Sequence, residues 1–177
     1  MRPNFAEMLK AHQISWALEN GFNEGWLEPR NNQPSWVLEK TQERRNLFKP
    51  EWWCYIEGKE HRWARALNSS QCFAVNAFAP LAEDSGLASQ FFQKLFPHRE
   101  LSSQAEIVVE FEYAPDNSSS WLGENPHRQG TQVDVALLVL DGKRCIGQAL
   151  IEVKLSEREF GSCRGYDKTG KGKNGNP

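Results

Sequence analysis

Apolar residues in the first part of the chain recur at the spacing of an amphipathic helix. The pattern begins at Phe5 and continues to Trp16, and Asn4 stands where a helix cap is expected. The pair Asn20-Gly21 then supplies the residue types that commonly end a helix. We therefore predict a first helix that ends at this pair.

The next stretch predicts a loop followed by two short helices. Residues 25–34 are polar and contain glycine and proline, so they predict a loop. Ser35 is the expected cap of a second helix that runs to Leu47. Pro50 suits the first turn of a third helix, which holds two tryptophans and ends before Gly58.

The clearest helical period in the chain runs from Trp63 to Leu81. Its apolar stripe contains several small residues, which allow close packing of the helix against a sheet. Since proline disfavours a helical conformation in the residue before it, Pro80 should end this helix at or near Ala79.

A shorter helix is predicted directly after this one. Asp84 or Ser85 can cap it, and Leu87, Phe91 and Leu95 recur at helical spacing. We expect these three apolar residues to lie on one face of the helix.

From Ala105 the pattern changes to that of strands. The segment "AEIVVEFEYA" is rich in β-branched and aromatic residues that alternate between two faces. A second strand is predicted over residues 133–140 and a third over residues 145–155, and Asp141-Gly142 between them is a hairpin turn signal.

The order of these elements predicts the fold class. Helices followed by three consecutive strands indicate an α/β or α+β layer around one sheet. We place a helical N-terminal extension at residues 1–58 and the core at residues 59–166. Residues 167–177 hold no apolar side chain and are predicted to be a disordered tail.

Composition excludes several classes of protein. The 177 residues are 39% hydrophobic and 25% charged with a net charge of −2, which is typical of an ordinary soluble domain. The four cysteines form no C-x-x-C pair and the histidines show no metal-ligand spacing, so a zinc site is not expected. Without a signal peptide pattern or a long apolar run, the sequence predicts a cytoplasmic protein with no membrane contact.

Charged residues interrupt the two most apolar strands. Asp134 lies inside the second strand, while Glu152 and Lys154 lie on one face of the third, about 7 Å apart along the strand. A hairpin that turns at Asp141-Gly142 brings all three charges to its open end. The simplest alternative is an exposed strand face with a surface ion pair, which would contribute little to stability.

Two carboxylates and a lysine at one sheet edge suit a particular chemistry. Asp134 and Glu152 offer the oxygen ligands that Mg²⁺, or Mn²⁺, prefers. Lys154 could orient a water molecule or stabilise charge that develops on a phosphate. A cation and a lysine in this arrangement favour phosphodiester hydrolysis.

These residues resemble a known motif. An acid in one strand ("QVDVALL") followed by E-x-K in the next ("IEVKLSE") resembles the PD-(D/E)xK nuclease superfamily, which has the restriction-endonuclease-like fold. Together with "NSSQCFAVNAFAPL" and "EIVVEFEYAP", they resemble an uncharacterised bacterial group of that superfamily, over about Trp63 to Tyr166.

The resemblance implies a fold and an activity. The fold is a mixed β-sheet of at least three strands flanked by helices. The activity is that of a Mg²⁺-dependent endonuclease acting on nucleic acid, with DNA as the expected partner. Asp134 and Glu152 would be the metal ligands, and Lys154 would be catalytic. The alternative is an inactive nucleic-acid-binding or interaction module on the same fold.

Two departures from the superfamily pattern qualify this reading. The first core helix has no carboxylate where members often carry one, and Gln71 is the expected polar substitute. Either Glu110 or Glu112 could then supply a further ligand from the first strand.

The second departure is at the C-terminus. A glycine- and lysine-rich tail stands where the superfamily continues with a helix and a strand, so we expect a truncated member with weak or no activity alone. Ile151 and Val153 would then stay partly exposed unless the N-terminal helices cover them.

Overall fold

The protein has an α+β fold. The computed structural model describes residues 5–30, 33–115 and 132–154. Its helices and strands are α1 (Phe5–Glu19), β1 (Leu27–Arg30), β2 (Gln33–Leu38), α2 (Ser70–Glu83), α3 (Ser85–Leu95), β3 (Ala105–Tyr113), β4 (Val133–Asp141) and β5 (Arg144–Ile151). Three 3₁₀ helices lie at Glu24–Trp26, Lys40–Asn46 and Pro50–Tyr55.

The main sheet has the strand order β3-β4-β5, and both of its described pairings are antiparallel. This confirms the predicted class of at least three strands with flanking helices. The predicted turn is also confirmed, since Asp141 pairs with Arg144 and Gly142 has a φ of +59°. Strand β5 ends at Ile151, earlier than predicted.

One face of the sheet packs on α2 and on the 3₁₀ helix at Pro50–Tyr55. Trp52 and Trp53 from that helix lie in the same buried cluster as Phe111, Val135 and Val153 from the sheet region. Burial of each such side chain contributes about 1.5–3 kcal/mol. The N-terminal segment therefore covers Val153, and Ile151 packs against the same cluster.

The predicted second helix is wrong. Residues Gln33–Leu38 form β2, which pairs with β1 in an antiparallel hairpin, and a 3₁₀ helix follows at Lys40–Asn46. The Ser35 hydroxyl accepts a hydrogen bond from the backbone N–H of Val37, so it does not cap a helix. Val37 is buried and bridges to Ala66, a distant contact that local sequence does not reveal.

Helix α2 is displaced from its predicted range of 63–79 to Ser70–Glu83. The Ser69 side chain caps it, and Pro80 lies inside the helix. A proline within a helix costs about 3 kcal/mol or more. Ala79 and Leu81 are both buried, and we attribute the continuation of the helix past Pro80 to this packing.

Helix α3 has the predicted cap, but the face that carries Leu87, Phe91 and Leu95 is not its main buried face. Asp84 accepts a hydrogen bond from the backbone N–H of Leu87, as an N-cap does. Ala88 and Phe92 face the core, whereas Leu87 and Leu95 are exposed. The small Ala88 allows close approach to the sheet, and the buried face lies one residue along the chain from Leu87 and Phe91.

Candidate active site

Two acids from neighbouring strands lie opposite each other at one end of the main sheet. In the antiparallel pairing of β3 with β4, Phe111 is opposite Val135. The next position along the same register places Glu112 opposite Asp134. Side chains at opposed positions of antiparallel strands share a face, with Cβ atoms about 4.5–5.5 Å apart.

A third acid extends this row across the sheet. Val135 also pairs with Ile151 at the end of β5. One further step brings Glu152, the first residue after the strand, level with Asp134. We call Glu112, Asp134 and Glu152 the carboxylate row.

Glu112 is held in an unusual conformation. Its φ of +49° is the only positive value at a non-glycine residue in the described part of the chain. Such conformations cost of order 1–3 kcal/mol, and they concentrate at functional sites. The carboxylate is nonetheless buried and has two partners, Gln71 and His61.

Gln71 fixes one side of the Glu112 carboxylate. Its Nε2 donates to Glu112 Oε1 at 2.7 Å and to the backbone carbonyl of Lys59 at 3.0 Å. Its Oε1 accepts from the backbone N–H of His61 at 2.9 Å. Gln71 is in the first turn of α2, just after the Ser69 cap. The start of that helix therefore places the amide that orients Glu112.

His61 was not predicted as a site residue. Its Nε2 lies 3.0 Å from Glu112 Oε2. The hydrogen bond to Glu112 is the main effect that raises the pKa of His61, and the charge of Glu112 followed by those of Asp134 and Glu152 adds to it, while burial acts in the opposite direction. No sequence pattern predicts His61 as a site residue, because it belongs to no motif and meets Glu112 only through the fold.

Asp134 is a buried acid in a negative environment. Its Oδ2 accepts a hydrogen bond from the backbone N–H of Val153 at 2.6 Å. Burial is the main effect that raises its pKa, and the charges of Glu152 and Glu112 add to it, while the Val153 hydrogen bond acts in the opposite direction. The ionised carboxylate is therefore disfavoured where a cation would favour it.

Glu152 and Lys154 form an ion pair at the exposed end of the row. Lys154 Nζ lies 2.7 Å from Glu152 Oε1. The structure thus brings together Asp134, Glu152 and Lys154 with Glu112. Glu110, the other candidate on β3, is exposed and lies opposite Ala136, further from this end.

The donor set fits a hard divalent cation, although the side chains are not arranged as a finished site. Asp134 and Glu152 each have a second carboxylate oxygen that makes no hydrogen bond to a described residue. Carboxylate oxygens are the ligands that Mg²⁺ prefers. Within residues 5–30, 33–115 and 132–154, however, no three acidic, histidine or cysteine side chains are already placed around a common point as metal ligands.

A family comparison adds to this geometry. A protein-family model described as "Restriction Endonuclease associating with ARP" matches residues 19–174. The chain belongs to this family. The match includes the carboxylate row, Gln71 and Lys154, and it leaves out most of α1. Membership supports a restriction-endonuclease-like protein with a nuclease function and a nucleic acid substrate.

Comparisons with curated proteins and with solved structures gave no match. Among the described residues of this restriction-endonuclease family member, every helix is too short or too polar to cross a membrane.

Proposed function

We propose that the chain is a Mg²⁺-dependent endonuclease of the PD-(D/E)xK type that hydrolyses phosphodiester bonds of DNA; Mn²⁺ would also serve. The observation that carries the proposal is the carboxylate row, which brings three acids level across neighbouring strands beside a lysine. Acids rarely crowd together in this way, because each raises the pKa of the next. A cation-binding role accounts for the crowding.

Each member of the row would have a definite part. Asp134 and Glu152 would hold the cation through their second carboxylate oxygens, and Glu112 would add negative charge from the buried side. The cation would supply charge neutralisation at the phosphate and a lowered pKa for a coordinated water. Glu112 is itself kept in place by Gln71 and His61, which are positioning residues.

The ammonium group of Lys154 is the positive charge that we propose the protein itself contributes to catalysis. Its ammonium group is already held beside the row by Glu152 at 2.7 Å. From this position it can orient the attacking water by donating hydrogen bonds, and it can stabilise negative charge that develops on the phosphate. Both roles require the charged amine and not merely a long side chain.

The direct test is nicking of supercoiled plasmid with Mg²⁺ and, separately, Mn²⁺. We expect wild-type nicking to depend on the cation and to be lost in Lys154→Ala. Lys143→Ala is the matched control, because Lys143 lies exposed in the turn at the other end of the same hairpin. Equal nicking by Lys154→Ala and Lys143→Ala would overturn the catalytic role of Lys154.

Calorimetric titration with Mn²⁺ tests the metal site without requiring turnover. We expect binding by the wild type and its loss in Asp134→Asn, a variant that can keep the hydrogen bond to Val153. Unchanged binding in Asp134→Asn would remove Asp134 from the ligand set.

A second candidate function is a nucleic-acid-binding module without catalysis. The observation that favours it is that both oxygens of Glu112 and one oxygen each of Asp134 and Glu152 are already engaged by protein groups. DNA binding by the wild type that is insensitive to Mg²⁺ and never followed by nicking would favour this module over the enzyme.

A further inference from the structure

A cavity is lined by His61, the residue that pairs with Glu112 of the carboxylate row. The cavity has a volume of about 390 Å³, and its lining includes Lys10, Trp36, His61 and Trp63. His61 also contacts Glu112 through its Nε2. A molecule in the cavity would therefore be next to the proposed catalytic centre.

The cavity combines aromatic surface with positive charge. Trp63 is 47% exposed, so part of its indole ring is accessible to a ligand. The Arg62 guanidinium lies 5.1 Å from the centre of the Trp63 ring, and Lys10 Nζ lies 3.8 Å from the centre of the Trp36 ring. Each indole is thus accompanied by a cation, the combination used to bind single-stranded nucleic acids.

His61 also lines a second cavity. It is also about 390 Å³, and it is lined by charged and polar groups that include Lys59, Arg62 and Gln132. Arg62 is near the Trp63 ring of the first cavity and also lines the second. Lysine or arginine side chains therefore line both cavities, together with the acid Glu60 in the second, and such positive charge attracts a phosphodiester backbone.

We propose that the first cavity is a nucleotide subsite in which an unstacked base packs on Trp63 and its phosphate lies near Lys10 and His61. The substrate would then be nucleic acid that is single-stranded or locally unpaired at the cleavage site. This inference rests on the proposed nuclease function and specifies its substrate.

The unpaired state follows from the shape of the contact. In a duplex both faces of each base are covered by its neighbours, so an indole can stack on a base only after the base leaves the stack. Unstacking is easiest in a single strand. The subsite thus predicts a preference for single-stranded over fully paired DNA.

Binding is tested in EDTA, where no cleavage occurs, by fluorescence anisotropy of a labelled 12-mer of thymidylate. We expect Trp63→Ala to weaken binding at least fivefold, since stacking on one aromatic side chain contributes at least about that factor. Trp63→Phe should restore most of the affinity. Trp16→Ala is the matched control, because Trp16 is 54% exposed but does not line the cavity.

An abasic 12-mer of the same length separates base stacking from phosphate contact. It should bind the wild type and Trp63→Ala equally. The proposal is overturned if Trp63→Ala binds the thymidylate 12-mer as tightly as the wild type does. It is also overturned if Trp63→Ala weakens binding of the abasic strand as much as it weakens binding of the thymidylate strand. Circular dichroism and thermal unfolding establish that the variants are folded.

The two proposals fail in different ways. If the wild type nicks plasmid and Trp63→Ala binds the 12-mer normally, the nuclease function is retained and the subsite is ruled out. Weakened binding by Trp63→Ala without any cation-dependent nicking by the wild type would retain the subsite and remove the nuclease.

Discussion

The ionised form of Asp134, which the proposed metal site requires, is opposed by the fold. Its pKa is raised, first by burial and then by the charges of Glu152 and Glu112. For an acid this sign means that the ionised form destabilises the folded state at neutral pH, and that this loss disappears as the pH falls below the folded-state pKa. Such trade-offs are common where function requires charge in a buried position.

We therefore predict that Asp134→Asn stabilises the protein in EDTA while it abolishes nicking. The asparagine Oδ1 can still accept the hydrogen bond from the Val153 N–H. Removal of the charge should raise the free energy of unfolding by on the order of 1 kcal/mol, as other substitutions of functional residues do. Urea denaturation at neutral pH measures this change.

Two controls define the Asp134 result. Asp141→Asn removes an exposed charge from the other end of β4 and should change stability by less than about 0.5 kcal/mol. Asp134→Ala leaves the Val153 N–H without its partner, which costs about 1–3 kcal/mol. If Asp134→Asn is less stable than the wild type, the charge of Asp134 does not oppose folding.

A second residue-scale prediction concerns Cys72. Burial raises the pKa of its thiol to about 11, whereas Cys54 and Cys145 are exposed. At pH 8 only about one Cys72 thiol in a thousand would be the reactive thiolate. We expect a variant that retains only Cys72 to react slowly with iodoacetamide at pH 8, and faster as the pH approaches 11.

The matched variant that retains only Cys54 supplies the comparison, with labelling followed by mass spectrometry. If Cys72 is labelled as fast as Cys54 at pH 8, the Cys72 thiol is accessible and burial does not control its reactivity.

At the scale of elements, the start of α2 links stability to the site. Ser69 Oγ accepts a hydrogen bond from the Cys72 N–H, and this cap holds the turn that carries Gln71. We predict that Ser69→Ala costs about 1 kcal/mol of stability and also lowers nicking, because Gln71 orients Glu112. Urea denaturation and plasmid nicking measure the two effects.

Asp84→Ala is the matched variant, since Asp84 caps α3 in the same way. It should cost similar stability and leave nicking unchanged, because α3 contributes no residue to the proposed site. A parallel loss of nicking in both variants would mean that helix stability alone, and not the placement of Gln71, controls activity.

Elements with local signals could be predicted from the sequence, and elements set by distant contacts could not. Asn20-Gly21 ends α1 as predicted, and Gly21 adopts a φ of +87°. The strand pattern and the Asp141-Gly142 turn are equally local. In contrast, β2 depends on its pairing with β1 and on the bridge from Val37 to Ala66.

The same division applies to the site. The alternation of side chains along a strand and the hairpin turn at Asp141-Gly142 were sufficient to predict from the sequence that Asp134 and Glu152 lie close together. These two features were not sufficient to choose between Glu110 and Glu112, because the placement of the Glu112 side chain depends on its positive φ and on its hydrogen-bond partners. His61 meets the row only through a long-range contact, and no motif announces it.

At the scale of the whole molecule, one apolar cluster joins residues before and after the predicted boundary at Gly58. Trp52, Trp53 and Ile56 precede that boundary and are buried in one cluster with Phe111 and Val135 of the sheet. The large apolar residues Phe5, Met8 and Trp16 of α1 are different, since all three are more than half exposed, although Ala17 is buried. The family match likewise begins at residue 19, where α1 ends.

We therefore predict that a chain starting at Lys59 does not fold cooperatively, whereas a chain starting at Asn20 does. Loss of Trp52, Trp53 and Ile56 uncovers the sheet and removes three contributions of about 1.5–3 kcal/mol each. Their sum is comparable to the 5–15 kcal/mol that stabilises a typical domain. Calorimetry and near-ultraviolet circular dichroism distinguish the outcomes. A sharp unfolding transition for the Lys59 chain would mean that the sheet and α2 form a complete core without the N-terminal tryptophans.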